Sequence, residues 1–375
     1  MNKNNLYIGI LTGTSMDSID CGIFDFDSRY KLISFYENNY PLKLKKKIKE
    51  NYGILTKDFA NNILHKELSD VYSDIVNKII LKENINKNNI SAIGMHGQTI
   101  SHGKYNNKNI SLQLGCPLTL SKMTNLKVVS DFRQHDINNG GEGAPLAPLF
   151  HDYIFNNSID RRIIINIGGI SNISFLTNKK NNLFGFDSGP GNTLIDIWVN
   201  KKYNQDYDVD GKISSEYNSS ENLLKIFLSD KYFKKNFPKS TTTEYFNYNW
   251  ILSKIKLANT DFSDGDVLAT LTKLTAISIA QSIKNCCMDF REIYVCGGGA
   301  FNKTILSHIR SEVNKEFPNN IIVETTEKIG LPPKIVESCL FAWLAMSKLN
   351  NKILDYRMIT GAKKSSTLGK IYSFK

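Results

Sequence analysis

The sequence predicts an α/β protein built from two similarly organised halves. Strand-forming residues within 7–27 flank a short turn of small, hydroxyl-bearing and acidic residues at 13–18. A second strand–turn–strand segment of the same kind lies at 162–176. Strand and helix patterns alternate after each segment, as is typical of α/β proteins. A chain of 375 residues is long enough for two lobes, so we expect a duplicated architecture.

The remaining elements follow from apolar spacing, such as that of Leu44 and Ile48 on one helix face, and from apolar runs that end in glycine. The N-terminal lobe is expected at 1–130, joined by 350–375, with helices at 42–50 and 58–82 and strands at 92–96 and 126–130. The C-terminal lobe is expected at 131–349, with helices at 220–228, 266–286, from about 302 and at 336–348, and a strand at 292–296.

Composition and charge limit which partners and which cellular location we expect for the protein. The net charge of +11 raises nucleic acid as a partner, but the lysines are spread along the whole chain, which is typical of a solvated surface. No apolar run approaches the roughly 20 residues of a membrane-spanning helix. The N-terminus runs into a strand without the apolar core of a signal peptide. We therefore expect a cytoplasmic protein with no nucleic-acid and no membrane partner.

The turn at 13–18 gives the first indication of chemistry. Such a hairpin directs hydroxyls and backbone N–H groups toward one point, which suits a phosphate oxygen. Asp17 and Asp20 would repel a bare anion, so a divalent cation is expected between them and the phosphate. The chain has no Walker phosphate loop and no protein-kinase motif. We expect a different type of nucleotide site, with Mg²⁺ bound to Asp17 directly or through water.

Asp187 is the candidate general base. It follows a short strand pattern and precedes Gly189, Pro190 and Gly191. A carboxylate where a strand ends is where α/β enzymes often place a base. The alternative is that Asp187 only caps the turn or helix that follows. The local pattern favours neither.

Three other segments are candidates for ligand contacts. Gly297–Gly299 follows a buried strand and permits close approach to a flat ligand, although tight turns use glycine without any ligand. His96 and Gln98 lie at a strand end, and their surroundings lack a zinc-binding pattern. Arg133 is suited to bind an anion or carboxylate, or to form an ion pair between lobes.

The stretches that carry a family resemblance are 13–20, 95–99, 131–133 with 140–146, 166–172, 185–192, 239–241, 269–272, 296–299, and Glu337 with 341–345. In this order they closely resemble the anhydro-N-acetylmuramic acid kinases, of the actin-like, sugar-kinase and heat-shock-chaperone ATPase superfamily. The resemblance extends over nearly the whole chain. It implies a two-lobed actin-like ATPase fold, a duplicated ribonuclease H-like arrangement with a nucleotide cleft between the lobes.

The resemblance also implies an activity. Water would add to the anomeric carbon of 1,6-anhydro-N-acetylmuramic acid and open the internal ether. The released O6 would then take the γ-phosphoryl group of ATP, giving N-acetylmuramic acid 6-phosphate for peptidoglycan recycling and amino-sugar catabolism. ATP and Mg²⁺ are the implied cofactors, and a homodimer is the implied assembly.

Residue roles are carried over from the family motifs. Asp187 matches the general base, Glu337 matches a second acidic position near the sugar, and Arg133 matches a substrate contact. His96 and Gln98 join the expected substrate site. The expected nucleotide-binding residues are Gly13, Thr14, Ser15, Met16, Asp17, Ser18, Ile19, Asp20, Gly168, Gly169, Gly297, Gly298 and Gly299.

The chain departs from the family pattern at two places. After Lys239-Ser-Thr241 the family commonly continues Gly-Arg-Glu, whereas this chain has Thr242, Thr243 and Glu244. Glu142 stands where glutamine is common. Two other functions stay open on the sequence: a kinase of the same fold that acts on another sugar, and a non-catalytic or regulatory ATP-binding module.

Overall fold

The computed structural model describes residues 5–13, 16–51, 63–106, 108–156, 161–176, 183–237, 239–286, 289–317 and 321–374. The chain divides into two compact units. Unit 1 consists of Met1–Phe150 and Ile335–Lys375, and unit 2 consists of His151–Lys334. The divisions expected from the sequence, at 130 and 349, differ from these because the helices that follow 130 and precede 349 pack on strands of unit 1.

Numbered in chain order, the strands of the described residues are β1 (Leu6–Thr12), β2 (Ser18–Asp25), β3 (Lys31–Asn39), β4 (Ile90–Met95), β5 (Gln98–Tyr105), β6 (Lys108–Leu114), β7 (Val128–Ser130), β8 (Arg162–Ile167), β9 (Ile170–Leu176), β10 (Phe184–Pro190), β11 (Glu292–Cys296), β12 (Ile322–Thr325) and β13 (Lys370–Tyr372). The helices are α1 (Leu42–Lys49), α2 (Leu64–Lys82), α3 (Pro117–Thr124), α4 (Phe132–Asn138), α5 (Ala147–Phe155), α6 (Thr193–Tyr203), α7 (Lys212–Ser215), α8 (Glu221–Leu228), α9 (Tyr248–Ala258), α10 (Asp264–Asn285), α11 (Lys303–Glu316), α12 (Val336–Leu349) and α13 (Arg357–Thr360).

Unit 1 is built on a sheet with the strand order β13-β7-β4-β1-β2-β3. β1, β2 and β3 pair antiparallel, β4 lies parallel to β1, and β7 lies parallel to β4. β13 pairs antiparallel with β7 at the edge of the sheet. Buried side chains of the sheet, such as Ile8, Ile10 and Ile93, share one core with Tyr72 and Ile75 of α2.

Unit 2 repeats this arrangement. Its sheet has the order β10-β9-β8-β11-β12. β8, β9 and β10 pair antiparallel, β11 lies parallel to β8, and β12 lies parallel to β11. Counted in order of appearance within each sheet, the strands of both sheets therefore run 3-2-1-4-5, and β13 adds a sixth strand at the edge in unit 1. This order confirms the predicted fold class, in which each half of an α/β protein begins with an antiparallel hairpin.

Helix α12 packs unusually close to the sheet of unit 1, because glycines face it. A Cβ atom on Gly9 of β1 would lie 1.7 Å from the carbonyl oxygen of Ser338. A Cβ atom on Gly94 of β4 would lie 1.9 Å from the carbonyl oxygen of Phe341. Backbone-to-backbone contact of this kind leaves no room for any side chain, so α12 belongs to unit 1 although the chain up to Lys334 belongs to unit 2.

Several elements differ from the sequence predictions. The hairpin β5–β6 is not predicted, because its polar, glycine-containing strands have no apolar run. The short helix α4 is likewise not predicted, and it includes Phe132 and Arg133. The start of the helix predicted at 58 and the turn residues Thr14 and Ser15 lie outside the described residues. In the described part of the chain, no helix has the length and apolar character needed to cross a bilayer.

We expect the Gly9→Ala substitution to destabilise unit 1 by about 1–3 kcal/mol or more, because α12 must move away from β1 to admit a methyl group. Denaturant unfolding would measure the loss. Gly298→Ala is the matched control, since its added Cβ would meet its nearest neighbour at an ordinary 3.6 Å. Equal stability of the two variants would contradict this account of the packing.

Candidate active site

Asp187 lies on β10, an edge strand of the sheet in unit 2, and only 6% of its surface is exposed. It pairs with Asn172 of β9, and the register of the two strands then shifts between Asp187 and Gly189. The strand continues to Pro190, so Asp187 does not end it as the sequence suggested. The irregularity nevertheless sets the Asp187 peptide apart from regular pairing, as β-bulges near active sites do.

A distant segment of the chain holds Asp187 at three points. Its backbone N–H donates to the carbonyl oxygen of Lys239 at 3.0 Å. Its carbonyl oxygen accepts from the Tyr232 hydroxyl at 2.7 Å, and its Oδ2 accepts from the backbone N–H of Thr241 at 3.0 Å. The carboxylate thus binds a residue far along the chain, which argues against the alternative that Asp187 only caps its own turn.

Asp230 anchors the segment that holds Asp187. Its carboxylate accepts hydrogen bonds from the Tyr232 N–H at 2.9 Å, the Tyr245 hydroxyl at 2.7 Å and the Trp250 indole N–H at 2.9 Å. Lys254 adds an ion pair at 3.2 Å. Burial alone would raise the pKa of Asp230, but these hydrogen bonds lower it below its ordinary value. Sequence reasoning missed Asp230 and Tyr232, because no local motif marks either residue.

Lys239 also packs beside this segment. Its ammonium lies 4.9 Å from the ring centre of Tyr232 and 5.9 Å from that of Phe186. Burial lowers the pKa of Lys239, while the charge of Asp187 acts in the opposite direction. The ring faces offer the partly desolvated cation a favourable environment.

The two glycine turns expected to bind nucleotide lie next to each other in unit 2. Gly297 has a φ of 79°, and a Cβ there would lie 2.4 Å from Oδ1 of Asn166. The carbonyl oxygens of Gly168 and Gly169 accept backbone hydrogen bonds from the residues that begin α6. At Gly168 and Gly298, in contrast, a Cβ would meet its nearest neighbour only at 3.6 Å. The protein's own packing therefore does not require glycine at these two positions.

His151 is buried beneath the Gly297 turn. Its Nδ1 lies 2.7 Å from the Ser174 hydroxyl, and its Nε2 lies 4.0 Å from Sγ of Cys296, the residue before Gly297. Burial lowers the pKa of His151 to about 3. The imidazole is therefore neutral at physiological pH.

The N-terminal turn in unit 1 carries the residues that we expect to bind phosphate, and of these Gly13 and 16–20 are described. The Met16 N–H donates to the Gly13 carbonyl oxygen at 3.1 Å, and Met16 has a φ of 54°. The Ser18 hydroxyl donates to Asp20 Oδ1 at 2.8 Å. Asp17 is exposed and forms a 3.4 Å ion pair with Lys45. Such exposed pairs are weak, so Asp17 is accessible to a cation.

The side chain of Ile19 is fully buried, so only its backbone could face a ligand. Within the described residues, no group of three or more histidine, cysteine, aspartate or glutamate side chains could hold a metal ion. A Mg²⁺ ion fits this arrangement, since it usually takes one or two carboxylates and completes its coordination with phosphate oxygens and water.

Arg133 and His96 meet in unit 1. The Arg133 Nε donates to His96 Nε2 at 2.9 Å, and the His96 ring lies 4.6 Å from the ring of Phe341. Burial, together with the charge of Arg133, holds the pKa of His96 well below its usual range. His96 is therefore neutral and orients the guanidinium. Glu337 lies half-buried in the first turn of α12, also in unit 1.

Gln98 has a more internal position than expected of a substrate contact. It is fully buried, and its Oε1 accepts from the Tyr40 hydroxyl at 2.9 Å. Nearby, the Thr12 hydroxyl lies 3.0 Å from the Tyr72 hydroxyl and donates to the Gly97 carbonyl oxygen at 3.2 Å. The bond from Thr12 to Gly97 joins the end of β1, which leads into the turn at 13–18, to the loop that carries His96.

Comparison with known proteins gives consistent matches. The sequence model of the family described as anhydro-N-acetylmuramic acid kinase matches residues 5–374. A protein of that name from Coxiella burnetii is 39% identical over 372 residues, which cover 98% of this chain and 97% of the relative. Another from Shewanella denitrificans is 38% identical over 379 residues and covers 100% of both chains.

Among solved structures, the activator of 2-hydroxyisocaproyl-CoA dehydratase from Clostridium difficile, with bound ADPNP, aligns with a TM-score of 0.47 at 15% identity. The alignment covers 92% of this chain and 96% of that protein.

We expect Gly298→Ala to keep the unfolding temperature of the wild type but to raise the KM for ATP about tenfold, because a methyl group there would occupy space that a bound nucleotide needs. Gly299→Ala is the contrasting variant, since its Cβ would lie 2.3 Å from Ile167 and should lower stability directly. An unchanged KM in Gly298→Ala would show that this turn does not contact the nucleotide.

The burial of His151 predicts that the folded protein loses stability in acid. An unfolded histidine binds a proton near pH 6.5, whereas folded His151 stays neutral until about pH 3, so unfolding takes up a proton between these values. Stability should therefore fall as pH falls below 6.5, by about 2 kcal/mol at pH 5 for this residue alone. His151→Gln should flatten the dependence of the unfolding free energy on pH; the same slope in both proteins would contradict the assignment.

Proposed function

The chain belongs to the anhydro-N-acetylmuramic acid kinase family, and we propose that it opens 1,6-anhydro-N-acetylmuramic acid with water and phosphorylates the released O6 from ATP. The products are N-acetylmuramic acid 6-phosphate and ADP. The observation that carries this proposal is the placement of Asp187. A nearly buried carboxylate is fixed through its backbone and one of its oxygens, at a family motif.

Asp187 supplies the general base in this reaction. One oxygen of its carboxylate accepts the Thr241 N–H, which stabilises the ionised form that a base requires. The carboxylate removes a proton from water as the water oxygen bonds to the anomeric carbon. The bond between that carbon and O6 breaks, and the O6 electron pair takes the γ-phosphoryl group while ADP leaves.

In this proposal ATP, the phosphoryl donor, binds at glycine-containing regions of both units. In unit 1, the Gly13–Asp20 turn offers backbone N–H groups and hydroxyls to the phosphates. In unit 2, the turns at 168–169 and 297–299 permit close backbone approach. Asp17 would hold Mg²⁺, directly or through water, and the ion would neutralise phosphate charge when bound. Phosphoryl transfer depends mainly on such alignment and charge neutralisation.

The sugar is assigned to Arg133, His96 and Glu337. The bond from Arg133 to His96 orients the guanidinium for a hydrogen-bonded contact with an oxygen of the substrate. Glu337 adds an acceptor for sugar hydroxyls. Gln98, predicted to contact the sugar as well, is buried and accepts a hydrogen bond from Tyr40. We further propose that the enzyme works in the cytoplasm in cell-wall recycling, and that it forms a homodimer.

Direct assay distinguishes the candidate functions. ADP release would be followed with the anhydro sugar and with simple hexoses, and mass spectrometry would identify the product. We expect ADP release with the anhydro sugar and a product that has gained both water and a phosphoryl group. Transfer only to hexoses would indicate a kinase for another sugar, and no transfer to any sugar would favour an ATP-binding module.

We expect Asp187→Asn to lower kcat by about 10²- to 10⁴-fold, the usual contribution of a general base, while ATP affinity is preserved. The amide keeps the shape of the side chain but cannot accept the proton. Asp261→Asn, an exposed position of unit 2, serves as the control and should behave as wild type. Wild-type turnover in Asp187→Asn would remove Asp187 from the role of base.

A further inference from the structure

The hydroxyl of Tyr232 contacts the peptide of Asp187, the proposed general base. It donates to the Asp187 carbonyl oxygen at 2.7 Å. This carbonyl belongs to the peptide at which the pairing of β10 with β9 becomes irregular. Because regular strand pairing does not fix this peptide, its orientation depends on the groups that bind it.

Tyr232 is itself held rigidly. Only 2% of its surface is exposed, and its ring packs edge-on against Phe246 at a centroid distance of 5.5 Å. The ammonium groups of Lys239 and Lys235 lie 4.9 Å and 5.6 Å from the ring centre. Its backbone N–H donates to the Asp230 carboxylate at 2.9 Å. A ring fixed on several sides has little rotational freedom, so its hydroxyl can define the position of the group it binds.

We propose that Tyr232 is a positioning residue, which, anchored by Asp230, holds the peptide of Asp187 so that the carboxylate meets the attacking water. This inference rests on the proposed function, because it assigns Tyr232 a task in the step for which Asp187 is the base. Tyr232 itself neither touches the reacting atoms nor transfers a proton.

The physical reason is the steep dependence of the reaction on geometry. Rotation of one peptide moves the attached carboxylate, and a misplacement of about 1 Å can cost 10²-fold in rate. The Tyr232 contact resists this rotation at the peptide that follows the Asp187 Cα. The Lys239 carbonyl oxygen, which accepts the Asp187 N–H, fixes the peptide that precedes it. Loss of the hydroxyl should therefore lower kcat and leave nucleotide binding intact.

The chain offers a matched control in Tyr245. Its hydroxyl also makes a 2.7 Å hydrogen bond, and this bond also stabilises the segment anchored by Asp230. The difference is the acceptor: Tyr245 donates to Asp230, whereas Tyr232 donates to Asp187. Tyr232→Phe and Tyr245→Phe thus each remove one 2.7 Å hydrogen bond from the same segment, but only the first releases the peptide of the proposed base.

The experiment measures kcat, the KM for ATP, the KM for the anhydro sugar and the unfolding temperature of both variants. We expect Tyr232→Phe to lower kcat about tenfold with an unchanged KM for ATP. Tyr245→Phe should stay within about twofold of the wild-type kcat. Both variants should stay folded with only modestly lower unfolding temperatures, since each loses one hydrogen bond, buried at Tyr232 and partly buried at Tyr245.

Equal kcat values in the two variants would overturn the proposal, because Tyr232 would then only stabilise the segment. If Tyr232→Phe fails to fold, Asp230→Asn provides the second test, since it weakens the anchor but keeps the volume. It should lower kcat without changing the KM for ATP, and wild-type kcat in that variant would also overturn the proposal. Absence of turnover in the wild-type chain would instead refute the proposed function.

Discussion

Strand β10 lies at the edge of its sheet, and its outward-facing backbone groups need hydrogen-bond partners. This requirement determines which residues surround Asp187 in the candidate active site. β10 pairs with β9 on one side only, so the N–H and C=O groups on its other side require different partners. At Asp187 these partners come from a segment without regular secondary structure. The Lys239 carbonyl oxygen accepts the Asp187 N–H, and the Tyr232 hydroxyl donates to the Asp187 carbonyl oxygen. The irregular chain must then be stabilised in turn, and the buried carboxylate of Asp230 does this by accepting several hydrogen bonds. A structural requirement of the sheet edge thus fixes the residue that we propose as the base.

Glycine has two different tasks in this molecule. At Gly9 and Gly94 of unit 1, the sheet and α12 approach so closely that no side chain fits. Gly297 and Gly299 are likewise required by contacts within unit 2. Gly168 and Gly298 are not, because a methyl group would meet only ordinary van der Waals contacts there. Where packing requires glycine, no ligand is needed to explain it. Where packing would allow a side chain, as at Gly298 between Gly297 and Gly299, close approach of a ligand is the better explanation.

The sequence predicted the fold class because both hairpins carry strong strand patterns and alternate with amphipathic helices. It also selected Asp187 and Arg133 as candidates, since charged residues at such positions are visible locally, and their roles stay predictions. It did not identify Asp230 or Tyr232, because their contacts join positions that are distant in the chain and have no characteristic spacing. Nor did it show that Arg133 donates to His96, although both were selected separately. Tertiary hydrogen bonds of this kind depend on the packing of whole elements, which periodicity does not encode.

The departure from the family pattern after Thr241 acts on the same segment. Where the family commonly has glycine, this chain has Thr242, whose hydroxyl oxygen accepts the Tyr245 N–H at 3.2 Å. Glycine has no side chain to accept this bond, and it leaves the unfolded backbone more conformational freedom to lose. Tyr245 in turn donates to Asp230. The threonine therefore adds a local hydrogen bond to the chain that anchors Asp230, and Asp230 anchors Tyr232. In this chain the substitution adds a hydrogen bond to that segment of unit 2, whereas Thr243 brings no charge in place of the arginine.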